Sequence, residues 1–526
     1  MTRFKLWMGV AAFVAASSAT IVHADQTPSS VTFTGPSSSQ SPYIVPLASG
    51  VQTVSILTTG DTVANTMGSK PGGTPYRMVG IPDGLGVFNN NGNTFTVLMN
   101  HELTANEGVV RAHGGTGSFV SRLVIRKKDL SVVQAGDLIQ SVSLWNTTTQ
   151  AYDAPAKGVV FTRFCSADLP LKYALYNPIT RNGTRDRLFM NGEEYGEGRA
   201  FAHGENGVSY QLPRLGKYAH ENVLAHPYTF DRTVVVSTDD GTGGQVYVYI
   251  GTKTNSGSVA DRAGLTNGQL YGVKVEGYAA ENSATGIPDG SRFTLQPLGD
   301  VSALTGAQLE TASNTAGATH FLRPEDGAWN VNNWNQFFFN TTNAFNKPSR
   351  LWRLRFDDAF NPERGGTIDM VLNGSEGQQM LDNIAIDLNN RVLLQEDPGN
   401  QSYIAKIRML NLNNGEYTLL AQHDPARFTP PAVGAMPAAT FLTQDEESSG
   451  IIDASDILGN GWYLMVDQVH LKSADPELVE GGQLLAMYVP APKGGSTNPY
   501  PRGSIYSFTG LMPRRLRRYF RGSRLC

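Results

Sequence analysis

Phe95-Thr96-Val97-Leu98-Met99-Asn100-His101-Glu102 decides the fold. Five apolar, aromatic or β-branched residues run together and stop at a polar, acidic tag. That is the signature of a short strand leading into a turn. The same grammar recurs along the chain, at 123–125, 233–237, 246–250, 270–275, 336–339, 351–356, 392–394, 404–410 and 462–466. Most of these runs are bounded by Gly, Asn, Asp or Pro, each of which favours turns for its own conformational reason. A further strand is expected around 43–46. Stretches with a helical period are few, and only 307–311 and 378–382 suggest short helices.

Many short strands with no βαβ alternation imply an all-β sandwich, barrel or propeller. The chain has 526 residues, more than the core of one sandwich usually absorbs, so a propeller with divergent blades is expected. Its 56 Gly and 28 Pro exceed the usual share and suit a fold built on turns. Eight of the 42 basic residues lie at the two ends, Arg3 and Lys5 at one, and Arg514, Arg515, Arg517, Arg518, Arg521 and Arg524 at the other. The remaining 34 face 46 acidic residues. A body so acidic argues against nucleic acid as the main partner.

The ends read separately. Residues 1–24 have a basic start, an uncharged apolar run from Leu6 to Val22 and a small-residue cleavage site at Val22-His23-Ala24. This predicts a cleaved signal peptide and an exported, secreted or periplasmic protein. No other segment is apolar for long enough to span a membrane, so no stable membrane span is expected. Residues 25–50 read as a loose lead-in, 51–512 as the propeller and 513–526 as an Arg-rich tail. Cys165 and Cys526 are the two cysteines, too few for a disulfide framework. Cys165 is therefore either a small buried hydrophobe or a working thiolate.

The acidic tags carry the chemistry. Asn100-His101-Glu102, Thr238-Asp239-Asp240 and Gln395-Glu396-Asp397 each end an apolar run. Glu193-Glu194, His220-Glu221, Arg323-Pro324-Glu325-Asp326, Asp382-Asn383 and Asp445-Glu446-Glu447 join them. One such tag alone is a solvated turn. If the tags end equivalent strands in different blades, their carboxylates converge on the central channel. Crowded carboxylates stay ionised only when cations share the site. An oxygen-only set suits Ca²⁺ or Mg²⁺, and a thiolate among carboxylates suits iron or zinc. In a strand, neighbouring side chains point to opposite faces, so if Glu102 and Glu221 face the channel, His101 and His220 face away. No Gly-x-Ser-x-Gly elbow or phosphate-binding Gly-x-x-x-x-Gly-Lys loop occurs.

In this order, Asn100-His101-Glu102, Cys165, Glu193-Glu194, His220-Glu221, Asp239-Asp240, Arg323-Pro324-Glu325, Asp382-Asn383 and Glu396-Asp397 resemble the PhoX-type alkaline phosphatases, secreted bacterial phosphohydrolases. The resemblance runs from about residue 90 to 470. It implies a six-bladed β-propeller with insertions and a metal cluster of Fe(3+) and Ca(2+) ions in the central channel. On that pattern Cys165, Glu194, Glu221 and Glu325 are iron ligands. Asp239, Asp240, Asp382 and Glu396 hold calcium, with Asn100 and Glu102 as further metal-binding candidates, and Arg323 meets the substrate phosphate. The implied activity is hydrolysis of small phosphate monoesters by a monomeric enzyme.

The chain departs from that pattern in four places. Cys165 is followed by Ser-Ala-Asp, 173–187 reads as an insertion before Glu194, Asp326 separates Arg-Pro-Glu from Gly327, and Gln395 precedes Glu396. Two other readings remain open at this level. One is a non-catalytic, calcium-stabilised propeller that binds partners. The other is a propeller hydrolase acting on phytate, phosphodiesters or lactones.

Overall fold

A computed structural model of the chain describes residues 31–67 and 75–491. The expected signal peptide, the tail 513–526 and Cys526 lie outside the described residues. Among the described residues, no helix is long and apolar enough to cross a membrane.

The strands form six mostly antiparallel blades around a central axis, with parallel edge strands at Val31–Thr34, Thr66–Met67 and Ser141–Ser143. In each blade an innermost strand begins an antiparallel run that proceeds outward. The innermost strands are Pro82–Asn89, Phe164–Asp168, Lys217–Ala225, Pro324–Trp329, Leu381–Ile386 and Glu447–Asp453, here the first strands of blades 1 to 6. Each touches the innermost strand of the next blade, and that of blade 6 touches that of blade 1, which closes the ring. Strand pairing also closes the ring: Gln52–Thr58 pairs with Glu480–Tyr488 of blade 6, so early and late segments of the described residues share one sheet. Blades 2, 3 and 4 are joined along their edges into a single 13-stranded sheet.

Why these runs are apolar on both faces follows from the ring. A blade is packed against a neighbour on each side, so both faces of its strands are buried, as in a covered parallel sheet. Thr233–Ser237 is the plain case. Val234 and Val236 pack toward blade 4, with Phe321, Phe337 and Trp352. Val235 packs toward blade 2, with Met190 and Ala202. Six apolar layers of this kind fill the six blade-to-blade gaps.

The expected strands are present, that around 43–46 as Ile44–Pro46 at the edge of blade 5, and two local expectations change. The lead-in also contributes strand Val31–Thr34, an edge of blade 6. Residues 378–382 are not helical; Leu381–Ile386 is the innermost strand of blade 5, where pairing across the blade overrides the local periodicity. The helix at 307–311 exists and is longer, Gly306–Ala316. A capping box between Thr305 and Gln308 starts it, and left-handed Gly317 ends it.

Candidate metal centre

One structural unit is repeated around the channel. In blade 1, Pro82 lies opposite His101, and the next residue, Glu102, donates its N–H to the carbonyl of Ile81. Blade 2 repeats this with Phe164 opposite Glu193 and Glu194 N–H on Arg163. Blade 3 has His220 opposite Asp239 and Asp240 N–H on Ala219. Blade 4 has Pro324 opposite Thr341 and Thr342 N–H on Arg323. Blade 5 has Leu381 opposite Glu396 and Asp397 N–H on Met380. In the first five blades a bulge then interrupts the ladder. Bulges bend a strand and re-aim its side chains, and they gather at active sites.

The first bulge residue is the one that enters the channel: Asp83, Cys165, Glu221, Glu325 and Asp382. Glu447 of blade 6 completes the ring. The second strand of blades 1, 2 and 5 supplies another layer, with Glu102 and Asp397 just past its end and Glu194 within it. The ligating atoms fall into four overlapping groups, each within 4.8 Å: Asp83–Glu102–Cys165, Cys165–Glu194–Glu221, Glu221–Glu325–Asp382 and Asp382–Asp397–Glu447. Adjacent groups share a residue, so the four form one continuous row. The sulfur of Cys165 belongs to two of them.

The row cannot hold all its charges unaided. Burial is the first cause that pushes the carboxyls of Asp83, Glu102, Glu194, Glu221, Glu325 and Asp382 above their ordinary range, and neighbouring carboxylates add to it. Burial pushes the Cys165 thiol up as well, followed by the charges of Asp83 and Glu221. Asp397 is pushed up to about 7 by burial and by Glu447. Burial acts on Glu447 too, but the hydrogen bond and charge of His470 outweigh it and hold that carboxyl low. Both carboxylate oxygens of Asp83 and of Glu221, and one of Asp382, are buried without a hydrogen-bond partner. Buried acceptors of this kind are costly unless something positive meets them. The donor chemistry, hard carboxylates around one shared thiolate, fits cations.

Two arginines reach the row from its rim. Arg323 donates from Nε and Nη2 to Asp240 at 2.8 and 2.7 Å, and its Nη2 lies 3.1 Å from Glu325. The Nη2 of Arg163 lies 2.9 Å from Glu102 and 2.5 Å from Glu194.

Residues 202–453 match the family model of alkaline phosphatase PhoX. Over that segment the chain resembles the PhoX alkaline phosphatases. That match supports a phosphoric ester hydrolase. Among solved structures, Pseudomonas fluorescens PhoX in complex with vanadate, a transition state analogue, matches with a TM-score of 0.56 at 13% identity, over 89% of this chain and 99% of that one. Identity at this level speaks for the fold, a PhoX-like propeller. An α-L-arabinofuranosidase from Podospora anserina matches with a TM-score of 0.32 at 8% identity, covering 89% of this chain and 98% of that one. A putative 6-phosphogluconolactonase from Bacteroides uniformis matches with 0.31 at 10% identity, over 74% and 95%. Neither carries further weight. No curated protein matches.

The repeated unit sorts the residues singled out by the PhoX pattern. Cys165, Glu194, Glu221, Glu325, Asp382 and Glu102 come together in the row. Asp240 stands beside it, held by Arg323. Glu396, Asp239 and Asn100 are not brought into it. Glu396 lies opposite Leu381, one residue before the channel position, and so faces out of the channel to Arg408. Asp239 stands likewise opposite His220 and accepts from Gly241. Asn100 is buried under the row, where its amide donates to the Cys165 carbonyl at 2.6 Å. Glu193, adjacent to Glu194, turns to Arg199 at 2.7 Å. His101 and His220 face away as strand alternation requires; His101 stacks on Phe119.

Asp83, Asp397 and Glu447 join the row without having been singled out as ligands. Asp83 sits in Pro82-Asp83-Gly84, which reads as a turn because Asp-Gly is a turn dipeptide. Asp397 and Glu447 stand inside tags whose neighbouring acid is as plausible by sequence. Two departures from the family pattern find partners in a polar layer below the row. The Ser166 hydroxyl accepts from the Asn383 amide. Asp326 accepts from the Asn222 amide at 2.5 Å and from the Gly327 and Ile384 N–H groups.

Proposed function

We propose that the chain is an exported, metal-dependent phosphatase that hydrolyses small phosphate monoesters. The observation that carries the reading is the row of acids meeting on a shared thiolate, with buried acceptor atoms that lack partners. On this reading Cys165, Glu194, Glu221 and Glu325 hold a pair of Fe(3+) ions. Asp382, Asp397 and Glu447 hold Ca(2+), and Asp83 and Glu102 complete the iron side around the Cys165 sulfur. Trivalent iron accepts both thiolate and carboxylate donors, whereas the oxygen-only end of the row suits calcium. When bound, such cations supply Lewis-acid chemistry and a positive field that admits a phosphate dianion among carboxylates.

The protein's own part is to hold and orient. Arg323 presents its planar fork to the phosphoryl oxygens, a geometry that a lysine cannot reproduce. Asp240, which accepts from two nitrogens of Arg323, fixes the direction of that fork. The left-handed backbone of Arg323, φ 60°, sets the side chain at the channel rim. The carbonyl of Arg323 accepts from Thr342 and its N–H donates to Phe321, which lock the turn. The family match and the apolar leader of the sequence together support export through a cleaved signal peptide.

The test is turnover of p-nitrophenyl phosphate by the mature, metal-replete protein. Arg323→Ala is expected to cut the rate about a hundredfold, the usual scale for one lost transition-state donor. Calcium-bound protein with no turnover would instead favour a binding module.

A further inference from the structure

Arg163 occupies in blade 2 the place that Arg323 occupies in blade 4. Each stands two residues before the side chain that enters the channel, Cys165 and Glu325 respectively. Both have a left-handed backbone, with φ 45° at Arg163 and 60° at Arg323. Non-glycine residues seldom adopt that conformation, and it clusters at functional sites. Each carbonyl accepts the N–H of the residue after the one paired with the first residue of the innermost strand, Glu194 (after Glu193) and Thr342 (after Thr341) respectively. Each guanidinium also reaches back to the acid that ends the second strand of the preceding blade: Arg323 to Asp240, and Arg163 to Glu102. Ile81 and Met380 hold the same left-handed entry position in blades 1 and 5, but they carry no charge.

We propose that Arg163 is a second phosphate-binding residue, acting with Arg323 as a two-armed grip on the phosphoryl group; this rests on the phosphatase reading above. The arms stand on either side of the Cys165–Glu194–Glu221 group. Arg163 contacts Glu102 and Glu194, and Arg323 contacts Glu325 on the far side of Glu221. The Arg163 guanidinium makes a hydrogen bond from Nη2 to Glu194, where Arg323 donates from two nitrogens to Asp240. The Arg163 side chain is 44% exposed and that of Arg323 34%, so both guanidinium groups are accessible from solvent. A guanidinium offers five N–H donors in a fixed plane, which suits two oxygens of one phosphoryl group. A second arm adds donors where negative charge gathers during transfer.

The test compares Arg163→Ala, Arg163→Gln and Arg163→Lys with the wild type. Bound metal is measured by elemental analysis, binding of orthovanadate by calorimetry and turnover with p-nitrophenyl phosphate. Metal content is expected to hold in all three variants. The vanadate dissociation constant rises about tenfold or more in the Ala and Gln variants, and kcat/KM falls ten- to hundredfold. Lysine restores part of the binding, since it returns the charge without the fork. Unchanged vanadate binding in a metal-replete variant overturns the proposal. So does loss of bound metal in the Ala and Gln variants, which would make Arg163 a fixed counter-charge to Glu102 and Glu194. The lysine variant keeps the proposal testable if the other two fail to fold. A wild type that neither turns over substrate nor binds vanadate would fail the phosphatase reading itself, whereas an active wild type with indifferent variants fails only this inference.

Discussion

Glu396 and Asp397 are neighbours in sequence, and the structure gives them opposite tasks. Glu396 is fully buried and accepts four hydrogen bonds: from Arg408 Nε at 2.9 Å, Tyr403 at 2.9 Å, and the Gln379 and Lys406 N–H groups at 3.1 Å each. Removing it in Glu396→Ala leaves Arg408 without its carboxylate. Breaking a buried pair in this way costs about 3–5 kcal/mol. The low end is expected, because Arg408 keeps the Gly377 carbonyl at 2.7 Å. Asp397→Asn is the reverse case. Its carboxylate accepts from Gly399 N–H at 3.0 Å, which an amide oxygen can still do, and the change removes one charge from a crowded row. Metal-free Asp397→Asn is therefore expected to be as stable as the wild type or more so. Its calcium affinity falls about tenfold or more, because a group of three carboxylates loses one charge. Urea unfolding of the metal-free proteins and calcium titration measure the two effects. A Glu396→Ala protein of normal stability that loses calcium, beside an Asp397→Asn protein that retains it, would refute the assignment of strand faces.

Cys165→Ser is expected to lose bound iron and its visible absorption while circular dichroism shows the β fold intact; full iron content in that variant would return Cys165 to core packing. The pH dependence of stability should change sign with metal. Carboxyls raised in the folded state bind protons that the unfolded chain has already released, so the metal-free protein loses stability as pH rises. The window runs from the ordinary carboxylate range up through about 7, the value reached by Asp397. Metal-loaded protein needs those ligands deprotonated, so it should lose stability as pH falls through the same window. Thermal unfolding of both forms between roughly pH 5 and pH 8 compares the slopes, and parallel slopes would contradict the shared-cation account.

Much of the fold was legible because a propeller strand announces itself locally. Thr233–Ser237 is apolar on both faces because it has a blade on each side. The site was legible only to within one residue. A tag such as Glu396-Asp397 marks where a strand ends, but which acid turns inward depends on the register with the facing strand, here Leu381 opposite Glu396. That register is set by a bulge, and a bulge has no signature in one sequence. The same uncertainty separates Glu193 from Glu194 and Asp239 from Asp240. Asp83 was hidden for another reason. Pro82-Asp83-Gly84 has turn composition, yet it lies inside an innermost strand, where blades 1 and 2 come so close that a Cβ on Gly84 would lie 2.4 Å from the Ala167 nitrogen. Arg163 precedes a strand with nothing in its local sequence to liken it to Arg323; the equivalence is visible only in the repeated geometry of the blades.

The most direct measurement is a crystal structure of natively exported protein with anomalous difference maps recorded above and below the iron absorption edge. The account predicts a pair of iron peaks that share the Cys165 sulfur, with calcium density at the Asp382–Asp397–Glu447 end of the row. A channel without stoichiometric metal, or an iron peak remote from Cys165, would contradict it.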